Sequence, residues 1–436
     1  MHNLDSAEAP EQLSETAHLA RELIRIDTTN WGQGKARPER PAAELVADYL
    51  RDIGLEPEFY EAAPGRTTVV TRVKGEHPEL PALVVHGHLD VVPAEEPDWT
   101  FDPFAGTVHD GMLWGRGAVD MKNMDAMILT AIAEILNSGK RPRRDLIVVF
   151  FADEEAGGVY GSAWMVQNHP EVFAGAKTAI SEVGGYSIFL GDQRAYLLQT
   201  GEKTADWVKL TARGAAGHGS RIQERNPVVT LAEAVAKLGR HQWPLTLGPT
   251  TRALLKELEA ITGPGDPAEL VARAGVGAGL LSSSLRTTTN PTVLSAGSMQ
   301  NVVPGNAESI IDIRTFPDSR EETFATIQEL IGDDVTLEVL TSGPGMETPF
   351  EGELVDAVKS SLAAFDPEAR VLPYLLPAGT DNQSLHSLGI TGYGFAPLKL
   401  PADFDFPAMF HGVNERVPLT ALDFGHRVLT DFLQRY

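Results

Sequence analysis

Over residues 83–122 the chain reads LVVHGHLDVVP, then a loop, then GRGAVDMK. Leu83, Val84 and Val85 form an apolar run too short for a helix, which predicts a buried strand that delivers His88 and Asp90 at its end. Residues two apart on a strand face the same side, so Asp90 can accept a hydrogen bond from one ring nitrogen of His88 while the other nitrogen faces a metal. Asp120 follows Gly115 and Gly117, which permit a tight backbone before a helix begins. Its carboxylate is a candidate for bridging two cations.

The rest of the composition narrows the chemistry. At 436 residues the length favours two or more domains, and 42% hydrophobic residues supply substantial cores. Cysteine is absent, so thiolate sites are excluded and a zinc site has to be built from His, Asp and Glu. Lys and Arg total 36 against 60 Asp and Glu, and the resulting net charge of −24 argues against nucleic acid or an anionic membrane as partner. The N-terminal MHNLDSAEAPEQ is polar and no run approaches membrane-spanning length, so the expectation is a cytoplasmic protein.

Helical spacing predicts helices over 14–26 and 41–53, the second closed by Gly54, and over 124–136. Strands are expected at 67–73, 82–85 and 146–151, the last continuously apolar as in a strand covered on both faces. This alternation implies a layered α/β domain with a mixed central sheet, its active groups beyond the carboxyl ends of the strands. Near Thr200 the texture changes. Strands at 207–212, 292–299, 309–315 and 335–341 and helices at 226–238 and 320–331 give the order β-α-β-β-α-β once segment 241–290 is set aside. That order is a ferredoxin-like module, inserted as 203–341 into a catalytic domain made of 1–202 and 342–436. The α/β pattern resumes with helices at 352–364 and 419–433.

Glu154 and Glu155 directly follow the buried strand in FFADEEAGG, and Glu182 follows another apolar stretch in ISEVGG. An ordinary acidic loop is the competing reading for each, although adjacent carboxylates can point opposite ways, one to a metal and one to a water. His411 lies in the polar loop FHGVNER, where an exposed histidine is the plainer interpretation. These positions gain weight together, because each sits at a strand end or loop of one domain. His86, two residues before His88, reads as packing; His109 and His386 have no partner motif.

In order along nearly the whole chain, HGHLDVVP, GRGAVDMK, ADEEAGG, GHGS, GTDN and HGVNERV make it resemble the family of dinuclear zinc aminoacylases, carboxypeptidases of the G type and succinyl-diaminopimelate desuccinylases. The resemblance implies that His88, Asp120 and Glu182 hold one metal and Asp120, Glu155 and His411 the other, with zinc expected and cobalt or manganese compatible. It makes Asp90 the partner that orients His88, and Glu154 the general base for a water shared between the metals. His218, in GHGS, would stabilise the developing oxyanion, and relatives bring this histidine across a dimer interface, which implies a homodimer formed through the lid. A strand turn is the alternative role for His218. Arg314 would receive the substrate carboxylate as a fork, with Asn301, Gly379 and Thr380 beside it; an ordinary ion pair, a turn before Pro304 and an Asx turn at Asp381 compete. Lys203, in GEKTADW, is given no role in the chemistry, and Thr204 stands after it where relatives commonly carry a glycine at the hinge.

The implied activity is cleavage of an amide next to a free carboxylate, as an N-acyl-amino-acid hydrolase or carboxypeptidase acting on a small substrate. A dipeptidase, an ester or carbamate hydrolase, and a metal-free scaffold are the rivals. Segment 241–290 is expected to enlarge the lid, with Leu280 and Leu281 available as an apolar wall for a bulky acyl or aromatic group.

Overall fold

The structure, a computed structural model, describes residues 13–436, so the polar stretch 1–12 lies outside the described residues. Ser14 opens the first helix, Glu15–Ile24, its side chain accepting from the Ala17 amide at 3.3 Å. The apolar stripe of that helix, Leu19, Leu23 and Ile24, is buried. The second helix, Arg40–Asp52, ends just before Gly54, whose φ of +83° gives the left-handed turn that stops it.

A ten-stranded mixed sheet forms the large body. At its centre Ala82–His88 lies parallel to Leu146–Phe151 on one side and to Ala176–Ser181 on the other. Arg66–Val73 and Glu58–Ala63 extend one flank antiparallel, while Thr391–Gly394, Gln193–Glu202 and Ser187–Leu190 extend the other. The unbroken apolar run LIVVFF is explained by its two covers. Leu146, Val148 and Phe150 pack with the buried helix Lys122–Asn137, and Ile147, Val149 and Phe151 pack with Met165, Phe173 and Leu385 on the opposite face. Burying one such side chain contributes about 1.5–3 kcal/mol, so neither cover is dispensable.

A separate four-stranded sheet carries Thr288–Ala296, Asn306–Thr315, Thr204–Arg213 and Val335–Gly343, in that spatial order and antiparallel throughout. In chain order the second strand is at the edge, followed by the third, first and fourth, which is the ferredoxin-like arrangement. The helices Pro227–Arg240 and Arg320–Ile331 cover one face through Leu231, Leu238, Ile327 and Ile331.

Segment 241–290 behaves differently from the expectation. It forms the helices Pro249–Thr262, Pro267–Ala272 and Ala278–Ser283, and Leu254, Leu258, Val271 and Leu281 join the core of the large sheet, not that of the small one. Its return is clamped to its departure by a bridge between Leu245 and Arg286 and by a bond from Arg286 Nη1 to the Trp243 carbonyl at 2.6 Å. The chain therefore passes from the small module to the large body and back between two of the small module's own elements. No helix among the described residues is long and apolar enough to cross a membrane.

Candidate metal centre

His88 ends its strand, Glu154 and Glu155 follow Phe151, and Glu182 follows Ser181, so three parallel neighbours present their polar groups at one carboxyl edge. Asp120 and His411 arrive on loops. Asp120 meets both histidines, with Oδ1 3.1 Å from His88 Nε2 and Oδ2 3.2 Å from His411 Nε2. His411 Nε2 is also 3.1 Å from Glu155 Oε2, while His88 Nε2 lies 3.7 Å from Glu182 Oε2 and 3.9 Å from Glu154 Oε2. Ligand atoms of His88, Asp120 and Glu155, and again of His88, Glu154 and Glu182, fall within 4.8 Å of one another.

Such crowding is electrostatically costly in the absence of cations. Burial and the neighbouring Glu182 hold the Glu154 carboxyl well above the usual carboxylate range, and burial with Asp120 does the same to Glu155. Burial alone would pull the His88 imidazole down, but the charge of Glu182 and the bonds to Asp120 and Glu182 outweigh it and raise its pKa. Glu155 Oε1 is buried without a hydrogen-bond partner among the described residues. An orphaned oxygen, four carboxylates and two imidazoles facing one point fit hard or borderline divalent cations, with nitrogen and oxygen as the only donors.

The supports of this cluster are long-range. His88 Nδ1 contacts the backbone carbonyl of Asp90 at 3.0 Å, whereas the Asp90 carboxylate stands 3.6 Å away. That carboxylate instead accepts from the Glu154 and Glu155 amides at 3.0 and 3.2 Å, so it shapes the turn that carries both glutamates. Asn30 Nδ2 donates to Asp90 Oδ2 at 2.8 Å and to Asp153 Oδ1 at 2.9 Å, and Asp153 also pairs with the buried Arg66. Asp153 (φ +66°) and His411 (φ +57°) adopt left-handed backbone, a conformation costing about 1–3 kcal/mol for a residue with a side chain. Glu415 is fully buried and accepts from the amides of Gly117, Val119 and Asp120 at 3.1, 2.6 and 3.0 Å and from Arg116 Nη1 at 2.7 Å. Asn30, Arg66 and Glu415 carry no sequence signal of this role, because their partners in the cluster lie 60 to 299 positions away; only the phrase HGVNERV places Glu415 near a candidate ligand.

Among the remaining candidates, Gly379 stands by the cluster and the others lie apart from it. Gly379 lines the cavity beside Asp120, Glu154, Glu155 and Glu182. Thr380 is occupied with the buried Glu202, donating from its amide at 3.0 Å and from Oγ1 at 2.6 Å, and Asp381 sits at the start of the short helix Asn382–His386. Arg314 is forked onto Asp312, Nε to Oδ1 at 2.6 Å and Nη2 to Oδ2 at 2.9 Å. His218 is exposed, its Nδ1 bonded to Ser220 Oγ at 2.8 Å, and the Asn301 carbonyl accepts from the Gly219 amide at 2.7 Å. His218, Asn301 and Arg314 belong to the small module and do not line the cavity. His86 is buried against Phe151 and bonded to Asn382 Oδ1 at 3.0 Å, a packing role.

The aminoacylase-1 of Homo sapiens is 26% identical over 419 residues, covering 94% of this chain and 93% of the relative. An N-fatty-acyl-amino acid synthase/hydrolase of Bos taurus is 27% identical over 383 residues, with 83% and 75% covered. Among solved structures, an M20 family metallo-carboxypeptidase of Sulfolobus solfataricus superposes with a TM-score of 0.75 at 17% identity, covering 97% of this chain and 99% of that one. A Bacillus subtilis protein described as a dinuclear metal binding peptidase gives a TM-score of 0.62 at 13% identity, with 96% of each covered. The profile of peptidase family M20/M25/M40 matches residues 84–435, from the His88 strand to the last helix, and the chain belongs to that family.

Proposed function

We propose that this protein hydrolyses the amide bond of an N-acyl amino acid or small peptide bearing a free carboxylate beside that bond. Its family makes it a metal-dependent hydrolase of amide bonds. His88, Asp120 and Glu182 would hold one ion and Asp120, Glu155 and His411 the other, with zinc the metal best suited to this donor set. Two divalent cations, when bound, supply Lewis acidity to the carbonyl and make water acidic enough to lose a proton at neutral pH.

The chain's own groups supply the rest. Glu154 faces the ligands without being needed as one, so it takes the proton of the attacking water and returns it to the departing nitrogen, which is too poor a leaving group unprotonated. Asp90 and Asn30 hold the turn on which Glu154 stands. On the small module, Arg314 would exchange Asp312 for the substrate carboxylate, with Asn301 and the Gly379 loop beside it. His218 would donate to the oxyanion, and its distance from the cavity calls for lid closure or a second subunit. Exposed Val293 and Leu294 on the edge strand Thr288–Ala296 support pairing of two small modules.

The reach of Asp120 to both histidines carries this reading. The test is a panel of N-acyl amino acids, dipeptides, esters and carbamates assayed for released product with metal restored. Release of amine from N-acyl amino acids, lowered about 10²–10⁴-fold in kcat by Glu154→Gln at unchanged metal content, is the expected result. Turnover of esters or carbamates alone would overturn it.

A further inference from the structure

The cavity beside the ligands measures about 270 Å³. Besides the carboxylates, its lining is largely apolar, with Val183, Leu280, Leu376, Pro377, Pro407 and Phe410. No Lys or Arg lines it, and two divalent cations would only balance the four carboxylates. A free substrate carboxylate therefore gains nothing there. In an N-acyl amino acid that carboxylate is one carbon from the amide nitrogen, so the amino-acid half turns away toward a cation such as Arg314. The half left to face the apolar wall is the acyl chain.

That wall is fixed to the large body. Leu280 stands on the helix Ala278–Ser283, whose Leu281 is fully buried in the large core. Ser284 Oγ donates to the Leu375 carbonyl at 2.6 Å, and Lys203 Nζ donates to the carbonyls of Ser283 and Arg286. Phe410, also in the lining, packs edge-on to Phe406 at 5.3 Å, and Phe406 packs on Tyr186 at 4.7 Å. The wall is thus packed on the large body, and a preformed apolar pocket favours ligands that fill it.

We infer that the wall built around Leu280 makes the enzyme selective for substrates with a bulky apolar acyl group, alkanoyl or arylalkanoyl, over acetyl; this rests on the hydrolase reading above. Leu280 is the contribution of segment 241–290 to this wall, the other apolar lining residues coming from the large body.

The test compares kcat/KM for N-octanoylglycine and N-acetylglycine in the metal-loaded full chain, for wild type, Leu280→Ala and Leu280→Gln. The glutamine variant keeps the volume and removes the apolarity, which guards against misfolding of the smaller one. Wild type is expected to favour octanoyl by about tenfold or more, and each variant to reduce that ratio by about tenfold, the scale of discrimination that an apolar pocket offers. A preference for acetyl, a ratio untouched by both variants, or a preference that follows the amino-acid side chain at fixed acetyl would overturn the inference. Calorimetric binding of the same two compounds to metal-loaded Glu154→Gln protein separates this from the hydrolase reading. Tighter binding of the octanoyl compound, lost in Glu154→Gln/Leu280→Gln, supports the acyl pocket even if wild type turns over neither compound. Equal binding or none overturns the pocket, while equal turnover of both leaves the hydrolase reading standing.

Discussion

Glu415 illustrates how much of this centre is held from behind. One buried carboxylate gathers three amides of one loop and Arg116, and the last of those amides belongs to Asp120, the residue that reaches both histidines. Charge-assisted bonds of this kind are the strong ones, and removing a supporting group behind a metal ligand typically costs 10–100-fold in metal affinity. Glu415→Gln is therefore expected to weaken binding of the ions about 10–100-fold in a chelator competition titration, with the folded far-ultraviolet spectrum retained. Unchanged affinity would mean that the loop holds Asp120 without it. Asp90 works in the same way: its carbonyl meets His88 and its carboxylate shapes the Glu154 turn, a division of labour within one residue.

At the scale of elements, Lys203 sits where Gln193–Glu202 of the large sheet passes into Thr204–Arg213 of the small one, and it ties that junction to the inserted segment. Burial, aided by the charge of Arg314, pushes its ammonium down to about 7, whereas an unfolded chain titrates near 10.4. Between those values the unfolded state carries the extra proton, so stability rises with pH across the window, and the contribution is least below pH 7. Chemical unfolding of wild type and Lys203→Met should show the wild type gaining on the variant between pH 7 and 9; parallel profiles would contradict the assignment. Periodicity alone made most elements legible. The strand 146–151 and the helix 320–331 match their expected bounds, and the ferredoxin-like order emerges from the element sequence. Periodicity shows that a helix has a buried face but not what buries it, which is why segment 241–290 reads as lid and packs on the body. For the same reason Leu280 and Leu281 look equivalent in sequence, yet only Leu280 lines the cavity. His88, Glu154, Glu155 and Glu182 were legible as candidates because strand ends deliver them, while Asp120 and His411, on loops, drew their roles from the family resemblance; Phe410, Pro407 and Leu376 were not legible, because apolar residues from separate parts of the chain carry no pattern.

Across the whole molecule, the carboxylates and His218 stand on separate modules, and the cavity is complete in neither oxyanion donor nor carboxylate anchor. If His218 acts across a subunit interface, His218→Ala and Glu154→Gln fail for different reasons, and mixed dimers contain one site with both groups intact. Co-refolded mixtures of the two inactive variants should regain activity in the released-amine assay; no recovery would place the histidine in the same chain. If Asp120 joins two cation sites built from His88, Glu182, Glu155 and His411, anomalous scattering from crystals of the zinc-loaded protein should show two peaks per chain, one against His88 and Glu182 and one against Glu155 and His411, with Asp120 touching both. A single peak, or metal bound away from Asp120, would rule out the shared carboxylate.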